Sequence, residues 1–559
     1  MFTLKASYNY IGTDHEVSNF DNEAFTLHLE EREGYLGAVL TAKKPIRMNR
    51  LVLDSNYTFV EEDRFFSNGY QSWSTSTEYK RSDRSVGYTK MADWVRLGQY
   101  LATAVGDYNF TSYGKLGVFH SETFTYLRKQ GSNRIKLYGS RSERQGFTIF
   151  DVDMYHDRFS IVKDVDGLEL AEGQQYQLLD VAVIEDDYDA AFDQYFFDFC
   201  GFSKPKVTRF AGYTSWYNYF RNINEDIILR DLNGLDAVSD LTQIFQIDDG
   251  YSKVGDWTLP NPEKFPHGLK PIVDSIHDKG YLAGLWLAPL NVQISSELFK
   301  AHRDWLIPSQ TFGPKVPQLG LINWGLTFTL DIEKPEVRDF LKHTFEVILQ
   351  DWGFDMVKLD FLYTACILPR GGKTRGQLMC EAVDLLRECC GDKIILGCGV
   401  PLGACMGVFD ACRIGCDANK VFGGDMVNKM EMNGEVPSCY NAMVDTIFRR
   451  CLNGRAFAND PDVFFLRDDN IDFTYEQKLD LAKVNDIFGS VLFMSDNAGQ
   501  YSHKAMENLK KIFQPKDYQV KLVEYVEKDV VRIDYTEDGQ EKVLQFNLRT
   551  GDGNALENF

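Results

Sequence analysis

The sequence predicts a multidomain protein with an N-terminal antiparallel β-sandwich over residues 1–205, a central (β/α)8 TIM barrel over 206–505 and a small C-terminal β-domain over 506–559. Three observations predict it. The chain has 559 residues, 44% of them hydrophobic and 14% aromatic, enough apolar surface for more than one core. Its texture changes near Lys204-Pro-Lys206, from short alternating segments to apolar strands interleaved with amphipathic helices. Polar and acidic residues then collect where those apolar strands end, the face on which barrels build their sites.

In the first region, segments such as Phe25-Thr-Leu-His-Leu29 and Tyr176-Gln-Leu-Leu-Asp-Val-Ala-Val183 alternate with period two, broken by turns of Gly, Asn and Asp. The barrel strands are read in order as Phe210 to Tyr217, Gln243 to Asp248, Leu282 to Leu287, Asp355 to Phe361, Ile394 to Gly397, Val408 to Ile414, Ala456 to Asn459 and Val491 to Ser495. Helices alternate with them. One starts near Pro335-Glu336 and runs to Gly353, with Pro in the first turn and Gly past the end, and another spans about Thr374 to Gly391. A doubly wound sheet is the rival architecture, but no Gly-x-Gly-x-x-Gly follows a strand. Beyond about 505, Val530-Val-Arg-Ile-Asp-Tyr535 and Lys542-Val-Leu-Gln-Phe-Asn547 alternate again and read as the small β-domain.

A formal net charge of -22 argues against nucleic acid or an anionic membrane as partner, because both demand clustered Lys and Arg. The expected partner is a small, neutral or cationic molecule. The N-terminal Met-Phe-Thr-Leu-Lys-Ala-Ser-Tyr8 lacks the basic and apolar segments of a secretion signal, and no stretch is apolar enough to cross a bilayer, so a cytoplasmic location is expected. Eight of the eleven cysteines lie between Cys366 and Cys416 without framework spacing, so reduced thiols are expected. Neither Cys-x-x-Cys in that run nor His-x-x-x-His among the nine histidines occurs, so no metal site is expected.

Asp360 is the most informative residue. It closes the apolar run Asp355-Met-Val-Lys-Leu-Asp360 and follows Lys358 by two, so the two side chains share a face of the strand. An adjacent ammonium is expected to lower the carboxyl pKa and keep Asp360 ionised, as a nucleophile must be. A second acid, Asp417, closes Arg413-Ile-Gly-Cys-Asp417, and two carboxylates at the ends of separate strands suit retaining glycoside hydrolysis, one attacking and one protonating the leaving oxygen. Arg413 can hold sugar hydroxyls beside Asp417. Asp248 and Asp249, in Gln246-Ile-Asp-Asp-Gly-Tyr251, can accept hydrogen bonds from a pair of neighbouring hydroxyls. Trp216, Trp257 and Trp286 stand near strand ends and can wall a sugar ring, and Trp73, in Asn68-Gly-Tyr-Gln-Ser-Trp-Ser74, can reach the barrel mouth from the first region.

These segments resemble the α-galactosidases of glycoside hydrolase family 36, in its compact bacterial-type branch. The motifs Phe245-Gln-Ile-Asp-Asp-Gly-Tyr251, Gly280-Tyr-Leu-Ala-Gly-Leu-Trp-Leu-Ala-Pro289, Val357-Lys-Leu-Asp-Phe-Leu362, Leu396-Gly-Cys-Gly-Val-Pro-Leu402, Arg413-Ile-Gly-Cys-Asp417 and Asn459-Asp-Pro-Asp462 carry the resemblance in order. It implies that Asp360 is the nucleophile and Asp417 the acid/base. It implies that Asp248 and Asp249 hold the 4- and 6-hydroxyls, that Lys358, Cys398 and Arg413 contact other ring hydroxyls, and that Trp73 and Trp286 line the site. Leu362 and Gly399-Val-Pro401 depart from the longer, tetrameric branch, which leaves the homo-oligomeric state and the aglycone open.

The expected activity is therefore hydrolysis of terminal α-linked galactose from melibiose- or raffinose-type oligosaccharides by double displacement, with no cofactor. Three alternatives stand beside it: α-N-acetylgalactosaminidase, galactosyl transferase, and a non-catalytic carbohydrate-binding protein.

Overall fold

The computed structural model describes residues 2–86, 111, 113–310, 312–321, 323–423 and 436–558. In the first region two seven-stranded antiparallel sheets form. One contains Thr3–Tyr10, Ile46–Asn56 and Arg158–Lys163; the other contains Phe25–Arg32, Tyr35–Ala42, Gln175–Asp187 and Arg134–Ser140. Alternation drives their packing: along Thr3–Tyr10 the alternate residues Leu4, Ala6 and Tyr8 are buried, and they share a core with Phe25, Leu27 and Leu40 of the other sheet.

The centre of the molecule is a nine-stranded, all-parallel sheet. Its strands are Phe210–Thr214, Ile244–Ile247, Leu282–Leu287, Met356–Leu359, Ile394–Gly397, Ala411–Arg413, Ala458–Asp460, Val463–Phe464 and Val491–Met494. The sheet's two edges are Ala458–Asp460 and Val463–Phe464, which only Pro461 and Asp462 separate along the chain. Edges joined by so short a link must lie side by side, so the sheet curls round on itself. The Ser490 N–H, donating to the Asn459 carbonyl at 2.9 Å, bridges the same seam.

Each strand predicted from the sequence is present, and several are shorter than predicted. Phe210 to Tyr217 stops at Thr214, Val408 to Ile414 contracts to Ala411–Arg413, and Asp355 to Phe361 contracts to Met356–Leu359. Apolar residues continue past each end, but the backbone turns; Phe361 adopts φ 53°, ψ 37° directly after Asp360. The helix Pro335–Glu346 begins on Pro335 and continues through a wider π-type turn over Val347–Asp351. The helix Arg375–Cys390 starts at a capping box in which Thr374 and Gln377 satisfy each other's backbone N–H groups.

The C-terminal segment adds the helix His503–Phe513 and a three-stranded antiparallel sheet, Tyr518–Glu527, Val530–Glu537 and Gln540–Asn547. One buried cluster runs through Phe66, Tyr70 and Phe124 of the first region, the parallel sheet, and Val523 and Val531 of the C-terminal sheet. No described helix is long and apolar enough to cross a membrane. All eleven cysteines are free thiols, as their spacing predicts.

Candidate active site

Parallel register aligns the site. Trp286 lies beside Lys358, and Lys358 beside Leu396, so the residues just past these strands meet on one rim. The ladder continues one step beyond the assigned strands: the Asp360 N–H donates to the Leu287 carbonyl and the Cys398 N–H to the Leu359 carbonyl, both at 2.8 Å. Asp360 and Cys398 are thereby fixed as rigidly as strand residues.

Fixed donors hold both oxygens of the buried Asp360 carboxylate. Trp286 Nε1 donates to Oδ2 at 3.1 Å and the Phe361 N–H to Oδ1 at 2.7 Å. The left-handed backbone at Phe361 turns that N–H back onto the preceding side chain. The expected lowering of the Asp360 pKa is not found. Burial pushes the carboxyl above its ordinary value, and the Asp417 charge adds to this, while Lys358, Trp286 and Cys398 act in the opposite direction. Lys358 shares the face with Asp360 but forms its ion pair with Asp248, at 3.0 Å. Burial alone would push the Lys358 ammonium down; Asp248, Cys398 and Asp360 together outweigh it and hold the group above its ordinary value. Burial also pushes the Cys398 thiol well up, and the Asp360 charge adds to that, so Cys398 stays protonated.

Asp248 is held on all sides. Gln246 Nε2 at 2.7 Å and Lys358 Nζ at 3.0 Å donate to its Oδ2, its own N–H donates to Ser215 Oγ at 2.9 Å, and its Oδ1 accepts the Asp249 N–H at 2.9 Å. Asp249 turns the other way and accepts from Trp324 Nε1 at 2.7 Å. Burial pushes Asp249 up to about 6, with Trp324 opposing.

Aromatic rings run unbroken around this rim. Trp257 meets Trp286 edge-on with centroids 5.8 Å apart, Trp286 meets Trp324 at 5.8 Å, Trp324 meets Phe361 at 5.1 Å, and Phe361 meets Trp73 at 5.6 Å. The indole N–H of Trp257 is buried without a hydrogen-bond partner among the described residues. Trp216, named with these from the sequence, instead packs edge-on against Phe220 at 5.2 Å. It opens the short helix Trp216–Tyr219.

Arg413 is buried. Its Nη2 holds Asp417 Oδ1 at 2.9 Å and its Nη1 holds Asp462 Oδ1 at 3.1 Å, while Nε has no hydrogen-bond partner among the described residues. Asp417 is the accessible member of the group, its side chain 44% exposed against 2% for Arg413.

Trp73 reaches the rim because its loop is clamped to the parallel sheet. Arg449, fully buried, donates to the carbonyls of Ser72 at 2.6 Å, Gln71 at 2.9 Å and Gly69 at 3.2 Å, and to Ile414 O at 2.6 Å. Gln71 forms a β-bridge with Pro401. The Trp73 ring then lies over Gly399, whose φ of +54° and lack of a side chain admit it.

Sequence reasoning missed Trp324, Asp462, Tyr217 and Arg449. Asp462 lies inside a quoted motif, Asn459-Asp-Pro-Asp462, and Tyr217 beside Trp216, so both were in view without a role. Trp324 and Arg449 carry no local signal, since each acts on a segment far away in the chain.

Paired acids, a buried lysine and arginine, and aromatic rings thus gather at the carboxyl rim of a curled parallel sheet, the face on which barrel enzymes place their sites. By sequence, residues 237–369 match the Melibiase family model. The α-galactosidase of Escherichia coli is 27% identical over 154 residues, which cover 26% of this chain and 20% of that protein. The A type blood α-D-galactosamine galactosaminidase of Flavonifractor plautii is 31% identical over 148 residues, 25% of this chain and 13% of that protein. The chain thus spans at most about a fifth of the length of these curated relatives. By fold, the Thermus thermophilus α-galactosidase, solved with p-nitrophenyl α-D-galactopyranoside, superposes over 96% of this chain and 98% of its own, with TM-score 0.68 and 23% identity. The resemblance to the family 36 α-galactosidases therefore holds in the matched segment by sequence and along nearly the whole chain by fold.

Proposed function

We propose that this protein is a retaining, exo-acting α-galactosidase that removes terminal α-linked galactose from melibiose- or raffinose-type oligosaccharides, built as a sandwich over 1–205, a (β/α)8 barrel over 206–505 and a β-domain over 506–559. Asp360 attacks C1 as the C1–O bond breaks and Asp417 delivers its proton to the leaving oxygen. Water then attacks C1, gives its proton to Asp417 and releases galactose from Asp360. Asp248 and Asp249 accept the 4- and 6-hydroxyls. Lys358, Cys398 and Arg413 face the remaining ring hydroxyls, with Trp73, Trp257 and Trp286 around the ring and Trp216 further out. These side chains and water suffice for the chemistry.

The observation that carries this reading is that Asp360, just past Met356–Leu359, and Asp417, beyond Ala411–Arg413, follow the carboxyl ends of strands of one parallel sheet, with the Asp417 charge acting on Asp360. Relatives named as α-galactosidases support it. A second reading, α-N-acetylgalactosaminidase, has the Flavonifractor plautii relative in its favour. The close packing of Trp73 on Gly399 favours a small 2-substituent, and hence galactose.

Release of p-nitrophenol from the α-galactoside, α-glucoside and α-N-acetylgalactosaminide tests the reading. Wild type is expected to cleave the galactoside, and Asp360→Asn to lose roughly 10⁴-fold or more in kcat. Azide added to Asp360→Ala should yield the β-galactosyl azide. Full activity of Asp360→Ala ends the proposal, and cleavage of the α-N-acetylgalactosaminide alone transfers it to the second reading.

A further inference from the structure

Asp462 stands at the seam where the curled sheet meets itself, between Ala458–Asp460 and Val463–Phe464. Its backbone has φ 76°, a conformation rarely adopted by residues with a side chain and found where surrounding structure enforces it. The carboxylate is buried and fully engaged. Oδ1 pairs with Arg413 Nη1 at 3.1 Å, and Oδ2 accepts the Ala418 N–H at 2.7 Å and the Tyr217 hydroxyl. The Asp462 N–H donates to Asp460 Oδ1 at 2.9 Å.

Two of these contacts converge on one neighbour. Arg413 uses its other terminal nitrogen to hold Asp417 at 2.9 Å, and Ala418 is the residue after Asp417. We propose that Asp462 is the positioning residue for Asp417, fixing both the guanidinium against which Asp417 rests and the backbone directly behind it. The inference rests on reading Asp417 as the acid/base.

The arrangement has an electrostatic consequence as well as a geometric one. Arg413 is shared between two carboxylates, so its charge is not spent on Asp417 alone, and a group that must carry a proton to the leaving oxygen is spared a dedicated cation. Burial, the charges of Asp417 and Asp460 and the opposing charge of Arg413 together bring Asp462 to about 7. Replacing Asp462 with Asn keeps an acceptor for Tyr217 and Ala418 but removes the charge that competes for Arg413. The Arg413 guanidinium is then left to Asp417 alone.

Leaving-group dependence tests the idea on the full-length protein. A p-nitrophenolate departs with little help from a proton, whereas the sugar alkoxide of melibiose needs one. In Asp462→Asn, kcat/KM for melibiose is expected to fall about 10²-fold while that for p-nitrophenyl α-galactoside falls far less. Tyr217→Phe, which keeps the Asp462 charge and removes one hydrogen bond, should show a smaller change in the same direction. A role confined to closing the sheet predicts a lower melting temperature with unchanged discrimination between the substrates. Equal losses on both, or none, in an Asp462→Asn protein that melts like wild type would overturn the proposal. If Asp462→Asn does not fold, the same comparison in Tyr217→Phe decides it. Wild type inactive on both substrates would remove the α-galactosidase reading and this inference with it, a failure visible before any variant is made.

Discussion

Buried carboxylates govern the chemistry of single residues here, and what differs among them is the compensation each receives. Asp360, Asp249 and Asp462 are pushed up by burial, and Lys358, Trp324 and Arg413 respectively answer it. Asp480, on the helix Tyr475–Phe488, has no such answer: among the described residues neither carboxyl oxygen has a hydrogen-bond partner, and Glu476 and Asp552 add negative charge. Burial brings it to about 8. A folded value above the unfolded one means that the associated stability is complete below about pH 4 and is lost as pH rises through about 8. Asp480→Asn should therefore stabilise the protein by about 1–3 kcal/mol at pH 8 and give no such gain at pH 4. Thermal unfolding at the two pH values checks this, and an equal gain at both would contradict it. Asp360 shows how far a residue-level reading carries. Its place at a strand end and its shared face with Lys358 are local and were legible, but the direction of its pKa depends on burial and on Asp248 claiming the ammonium.

At the scale of elements, strand ends and loops build the site together. The strand cores were legible because period-two and continuous apolar runs are local patterns, whereas their ends were overestimated because apolar residues continue into turns such as the left-handed Phe361. The loop Asn68 to Ser74 was marked by its aromatic content, but its placement depends on Arg449, a residue of another element. Gly399 is the tightest point between them. A Cβ there would lie 2.6 Å from Trp73 Cη2 and 2.9 Å from the Phe361 backbone nitrogen, at a φ of +54°. Gly399→Ala must displace either the indole or the backbone that donates to Asp360. The expected result is a folded protein with kcat/KM on p-nitrophenyl α-galactoside reduced at least about tenfold, since misplacement near 1 Å carries costs of that order or greater. Unchanged kcat/KM would show that the loop yields without cost.

Over the whole molecule, buried charges join the three regions. Arg128, from the first region, donates through Nε to Glu78 Oε1 at 2.6 Å and through Nη2 to the Val523 carbonyl of the C-terminal sheet at 3.0 Å. Tyr525 of that sheet pairs with the Thr77 hydroxyl at 3.0 Å and stacks on Phe448 at 5.2 Å. Arg128→Met would leave Glu78 buried without its cation, at a cost of about 3–5 kcal/mol. A clear fall in melting temperature is expected. A variant melting with wild type would mean that Tyr126, which also donates to Glu78 at 2.7 Å, is enough to hold the carboxylate.

The residues alone were enough to place apolar strands, their alternation with helices, the change of texture near Lys204 and the acids at strand ends, because each is written in the spacing of neighbours along one element. Tertiary structure alone decided that the sheet curls until its edges meet at Asp462, that Arg449 carries Trp73 to the rim, that Trp324 holds Asp249, and that Arg413 divides itself between Asp417 and Asp462. These contacts join residues tens to hundreds of positions apart, or depend on burial that the finished fold creates, and neither distance across the chain nor desolvation leaves a periodic mark in sequence.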